Sequence, residues 1–135
     1  MLINGQCGCG KTRFKVDMPH PMQAYHPRRC DCDFCLPRQI QYISDPDGIL
    51  FLKKGYLAHT LQQGDELAEF ITCSYCEEVI AVIYRDSKEQ KAAANATLLE
   101  SKHDFSEPET VSPKLLAADE KIARWHSLWF DLVLE

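Results

Sequence analysis

The stretch GQCGCGKTRF, Gly5 to Phe14, places Cys7 and Cys9 one residue apart, a spacing that points two sulfurs toward one centre. A second pair, Cys73 and Cys76 in CSYC, lies more than sixty residues further on. Together they supply the four thiolates of a closed, tetrahedral, structural metal site, as a soft cation such as zinc requires. Its binding energy would also be folding energy, because it clamps the N-terminal segment to the middle of the chain.

The remaining three cysteines fall in RRCDCDFC, Arg28 to Cys35. Cys30, Cys32 and Cys35 lack a fourth partner, and three readings stand side by side. They form an open three-ligand zinc site with a place for an incoming molecule, the arrangement of sites that do chemistry. A histidine such as His26 closes them into a second structural site. Or they are simply reduced thiols. An odd number of cysteines in tight groups, without a visible secretion signal, reads poorly as disulfides and well as metal ligands.

Composition places these clusters in an ordinary globular chain. Its 135 residues are 45% hydrophobic and 26% charged, enough for one domain spanning 1–135 with a real core. The net charge of −5 disfavours nucleic acid as a partner, since binders of nucleic acid carry a basic stripe. Seven thiolates holding two divalent ions would make the charge more negative still. The longest apolar run, VIAVIY (Val79 to Tyr84), is too short to cross a bilayer. The opening MLINGQCGCGK has no leader pattern, so a cytoplasmic, reducing setting is expected. No interface pattern speaks to the oligomeric state.

Alternation predicts a mainly β domain with little helix. TRFKVDM (Thr12–Met18), QIQYIS (Gln39–Ser44), ILFLKKG (Ile49–Gly55) and EVIAVIYRD (Glu78–Asp86) read as strands, the last of them central. MQAYHPRR (Met22–Arg29) reads as a further extended run, and a helical turn follows Cys32. DPDG (Asp45–Gly48) is a turn, and YLAHTLQQGDELAEFITC (Tyr56–Cys73) reads as two strands joined at QQGD. AAANATLLE (Ala92–Glu100) fits strand or helix and is assigned to strand by its position. SKHDFSEPETVSP (Ser101–Pro113) is an irregular connector, and Ala118–Trp129 a helix capped by Asp119 or its neighbour.

With these motifs in place, the chain resembles the glutathione-dependent formaldehyde-activating enzymes, which share a zinc-binding family with the centromere protein V-like proteins. GQCGCGKTRF matches that family's Gly-x-Cys-x-Cys-Gly-x-x-x-Phe, CDCDFC its Cys-x-Cys-x-x-Cys, and CSYC its later Cys-x-x-Cys. The resemblance spans Gly5 to Cys76. It implies an Mss4-like fold of several small antiparallel sheets with a short C-terminal helix, stabilised by two zinc ions. Cys7, Cys9, Cys73 and Cys76 would hold the structural zinc. Cys30, Cys32 and Cys35 would hold the zinc at the active site. The implied activity is that of a carbon–sulfur lyase joining glutathione to formaldehyde or another small aldehyde. The alternative is a non-catalytic zinc module that binds a thiol, an anion or a protein. Two positions depart from the family pattern: Asp31 stands where His is frequent, and Glu77 where Gly is usual.

Several other residues are candidates on weaker grounds. Arg28, Arg29 and Arg38 flank the three-cysteine motif and suit a carboxylate, or simply offset thiolate charge. Asp31 is a hydrogen-bond acceptor, a weak base or a solvated turn residue. Trp125 and Trp129 pack the terminal helix against the sheet, or wall a pocket. NAT (Asn95–Thr97) matches a glycosylation acceptor, discounted without a secretion signal.

Overall fold

A computed structural model describes residues 1–62, 67–112 and 115–135 of the chain. The fold is mainly β, with eleven strands among the described residues and one longer helix near the C-terminus. In chain order the strands are β1 Leu2–Gln6, β2 Arg13–Asp17, β3 Arg28–Cys30, β4 Gln41–Ile43, β5 Ile49–Leu52 and β6 Thr60–Gln62. They continue with β7 Glu69–Thr72, β8 Val79–Arg85, β9 Gln90–Asn95, β10 Glu109–Val111 and β11 Phe130–Leu134. A short helix, α1, covers Cys35–Arg38, and α2 covers Ala118–Leu128.

The strands form short ladders joined through β9. One edge of β9 pairs with β8, which leads on to β7 and β6. Its other edge is shared between β11 and β4, so the sheet branches there. From β11 the path runs through β5 and β2 to β1, and from β4 through β3 to β10. Pairing is antiparallel except for β10 with β3 and β11 with β5.

The alanines of β9 suit that crossing. Ala92, Ala93 and Ala94 are all fully buried, with neighbours on both edges and both faces. Period-two geometry sends Ala92 and Ala94 into one hydrophobic cluster and Ala93 into the other. The first cluster holds Cys7, Cys73, Ile80, Ile83, Leu50 and Phe130. The second holds Cys30, Cys35, Phe34, Tyr42, Trp125 and Trp129. Each cysteine group therefore sits against its own core. The same packing seals Asn95, which is buried, donates to the Val79 carbonyl at 2.8 Å and accepts from Thr97. A glycan has no room there.

Three strands escape the sequence reading. β1 exposes alternate residues and offers the core only Ile3 and Gly5. Gly5 faces Phe14 across the β1–β2 ladder, and the Phe14 ring lies over it so closely that a Cβ would collide with the ring. The aromatic ring replaces the missing side chain. β10 lies inside the polar connector and is held by its parallel pairing to β3. β11 follows α2 directly, inserted between β5 and β9. It is tied to β9 by Lys91, a buried lysine whose Nζ meets Asp131 at 2.9 Å.

Other elements shift more modestly. Met22–Ala24 is a 3-10 turn rather than extended chain, and Lys54–Ala58 is another, so β6 begins only at Thr60. The expected QQGD turn lies largely outside the described residues. β4 buries both Tyr42 and Ile43, because β3 and β9 flank it and cores lie on both faces. The DPDG turn is present: the Gly48 amide donates to the Asp45 carbonyl at 3.0 Å. Asp45 is buried and accepts the Tyr25 hydroxyl at 2.7 Å. Helix α2 begins after Ala117, whose amide donates to the Glu120 carboxylate at 2.9 Å, so Glu120 and not Asp119 satisfies the cap.

Phe130 is fully buried and belongs to the strand that fills the slot between β5 and β9. Its replacement by alanine should destabilise the fold by about 3–5 kcal/mol. Urea denaturation followed by circular dichroism gives the value.

Candidate metal centres and the adjoining cavity

The structure brings Cys7, Cys9, Cys73 and Cys76 into one group and Cys30, Cys32 and Cys35 into another, with all sulfurs of each group within 4.8 Å of one another. In the first group Cys7 lies 3.3 Å from Cys9, and each is 3.6 Å from Cys73, sulfur to sulfur. A tetrahedron of sulfurs bound at about 2.3 Å has edges of about 3.8 Å. The donor set and spacing fit a soft cation such as zinc.

Two similar backbone turns build this group. The Thr12 amide donates to the Cys7 sulfur, and the Tyr75 amide to the Cys73 sulfur, each at 3.4 Å. The residue after each second cysteine takes a left-handed backbone: Gly10 at φ 76° and Glu77 at φ 62°. Glycine adopts that conformation freely, whereas Glu77 places its Cβ against the carbonyl. The turns are also joined directly. The Gly8 amide donates to Glu78 Oε1 at 2.7 Å, and Lys11 Nζ sits 4.2 Å above the Tyr75 ring. Burial pushes the Cys73 thiol up, but hydrogen bonds from Thr12 and from the Cys76 and Tyr75 amides outweigh it and bring it down to about 6.

The second group is assembled by β3, the turn after it and the start of α1. Cys30 ends β3 and is buried; Cys35 opens α1 and is buried; Cys32 is partly exposed between them. The Cys35 amide donates to the Cys32 sulfur at 3.3 Å, and the Leu36 amide to the Cys32 carbonyl at 2.9 Å. Tyr42, from β4, places its hydroxyl 3.2 Å from the Cys35 sulfur. Hydrogen bonding by the Cys35 thiol pulls Cys30 down to about 6, while the same contact and burial push Cys35 well up.

Among the described residues no histidine or carboxylate joins the three thiols as a fourth ligand. His26 is exposed and its Nδ1 lies 2.8 Å from the Glu107 carbonyl, so it does not close the site. Asp31 accepts the Ser112 hydroxyl at 2.5 Å and its amide donates to the Val111 carbonyl, which fastens β10 beside the cluster. It acts as a tether.

The three cysteines open onto a cavity of about 430 Å³. Phe34 and Phe70, 4.6 Å apart, form one wall. Trp125 of α2 and Trp129, just past its last turn, stacked at 5.0 Å, form another. Of the three arginines flagged by sequence, Arg28 alone lines the cavity. Its guanidinium donates to Ser44 at 2.5 Å, and burial together with the nearby charge of Arg124 pulls it down to about 10. Arg29 is exposed, and Arg38 is stacked over the Phe34 ring at 3.9 Å and donates to the Phe34 carbonyl. Lys121 and Arg124, which the sequence reading passed over, complete the cationic lining. Their spacing from Trp125 puts all three on one helical stripe, and that was the available signal. The α2 wall is fixed at its far side by His126, which contacts Glu89 and Asp86 on the β8–β9 turn.

The fold and site thus define a small β-rich protein with two cysteine clusters, one closed and one facing a cavity. No protein-family model matches the chain, and no curated protein does. Its structure is similar to the crystal structure of a Rhodobacter sphaeroides protein solved as a structural genomics target. The TM-score is 0.54 and the identity 23%, covering 80% of this chain and 99% of that one. That likeness supports the fold. No helix among the described residues is long and apolar enough to cross a membrane.

Glu77→Gly should relieve the left-handed strain and stabilise the metal-loaded protein by about 1 kcal/mol, read from the urea midpoint at unchanged slope. Metal uptake by the three-cysteine group should weaken steadily as the pH falls through neutrality, because Cys35 must give up its proton to bind. It should weaken more steeply below about 6, where Cys30 takes back its proton as well. A competition titration with a chromogenic chelator at several pH values measures this.

Proposed function

We propose that the protein holds two zinc ions and acts as a carbon–sulfur lyase-type enzyme on the adduct of a thiol with a small aldehyde, as in the family it resembles. Glutathione and formaldehyde are the pair that resemblance suggests, and seven free thiols suit a reducing, cytoplasmic setting. The observation that carries the proposal is a three-thiol group, one ligand short of a closed site, opening onto a cavity of small-molecule size.

When bound to Cys30, Cys32 and Cys35, zinc supplies Lewis acidity that favours the thiolate form of an incoming thiol. The chain's own residues do the rest. Tyr42 orients Cys35 through its hydroxyl contact, and the aromatic walls exclude water from the reacting atoms. Arg28 and Arg124 hold an anionic group of the thiol compound. In the addition the sulfur–carbon bond forms, the carbonyl π pair moves to oxygen, and the thiol proton ends on that oxygen. Asp33 is the carboxylate among the described lining residues and the group placed to carry that proton.

A second reading is a non-catalytic zinc module that binds a thiol or an anion. It is favoured by the absence of histidine from the described cavity lining.

Metal analysis of protein prepared without chelator should give two zinc ions per chain. Cys32→Ser should lose one and keep its fold, whereas Cys73→Ser should lose cooperative unfolding altogether. Exchange of S-hydroxymethylglutathione with its components, followed by NMR, should accelerate with protein. An unchanged rate with formaldehyde and other small aldehydes supports the binding module instead.

A further inference from the structure

The cavity beside the three cysteines is poorly matched to a polar tripeptide. Its walls are two aromatic pairs, Phe34 with Phe70 and Trp125 with Trp129, and its charged lining is predominantly cationic. The cationic lining suits the two carboxylates of glutathione, but the tripeptide would also bring two peptide groups and an ammonium into this space. Peptide groups removed from water without partners are costly. The ammonium would meet Arg28 and Arg124 rather than carboxylates, with Asp33 alone of opposite sign among the described lining residues.

Arg124 stands out further. It projects from the same face of α2 as Trp125 and forms no ion pair with any described residue. Arg28 is fixed by Ser44, a neutral partner, and the Glu109 carboxylate opposite it on β10 offsets only part of its charge. Two guanidinium groups therefore share a cavity with stacked indoles, a combination that suits a flat apolar body carrying one anionic group.

We infer that the cavity takes a compact aromatic thiol carrying a single carboxylate, with its ring between the Phe34–Phe70 and Trp125–Trp129 walls and its carboxylate on Arg124 and Arg28. This deepens the thiol reading above and rests on it for the sulfur alone. Arg124 is then the residue that selects an anion.

Trp125 and Trp129 are the only tryptophans in the chain, so intrinsic fluorescence reports on the cavity directly. Zinc-loaded protein is titrated with 2-mercapto-3-phenylpropanoate, with 3-phenylpropanoate, which lacks the thiol, and with glutathione, and calorimetry repeats each titration. The mercapto acid should bind at least about tenfold more tightly than glutathione. Arg124→Ala should weaken it by about tenfold, the scale of a lost charge-assisted hydrogen bond, and Arg124→Lys by less. Glutathione binding as tightly as the mercapto acid overturns the aromatic assignment and leaves the thiol reading standing. Equal binding of 3-phenylpropanoate overturns the thiol reading and leaves the aromatic anion site. An unchanged affinity in Arg124→Ala overturns the role of Arg124, and no binding of any probe overturns both.

Discussion

The meeting of two cysteine turns from distant parts of the chain is the constraint on which the rest of the structure depends. Cys7 and Cys9 precede β2, Cys73 and Cys76 precede β8, and their sulfurs converge with Cys7 and Cys73 fully buried in the larger core. Once they are joined, β1 and β2 cannot drift from the β7–β8 hairpin. A cation at that point would neutralise thiolates that the backbone amides of Tyr75 and Thr12 already favour. The smaller core, on the other face of β9, is then free to be incomplete. It contains the second cysteine group and a cavity where a close-packed interior would otherwise be.

That division was legible in the cysteine spacing, and alternation revealed the strands with ordinary apolar faces. The regions that were not legible have physical causes. β1 presents glycine where a strand normally presents a large residue, because Phe14 occupies the space. β10 is short and mostly exposed, so its place depends on a neighbour remote in sequence. The aromatic periodicity of α2 runs straight into β11 and hides the boundary at Trp129. In the site, proximity in sequence favoured Arg28, Arg29 and Arg38 equally. Tertiary packing sends only Arg28 inward, and it brings Lys121 and Arg124 from the far end of the chain.

Glu77 and Asp31 differ in consequence. Glu77 occupies a left-handed position without disturbing the sulfur geometry, so its cost falls on stability. Asp31 holds Ser112 and β10, whose Val111 lines the cavity, so its role is to support the rim. Neither removes a thiol.

The position of β11 also bears on how the chain reaches its native state. Phe130–Leu134 comes after every other described strand in sequence, yet it fills a central slot, paired in parallel with β5 and antiparallel with β9. The hydrogen-bonding edges of β5 and β9 therefore stay open until that segment arrives. Closing the sheet requires contacts of long sequence separation, which makes the search slow. While the slot is empty, two unsatisfied edges beside an alanine-rich strand would offer themselves to other chains. During folding, then, the hazard lies at the centre of the sheet and not at its rim.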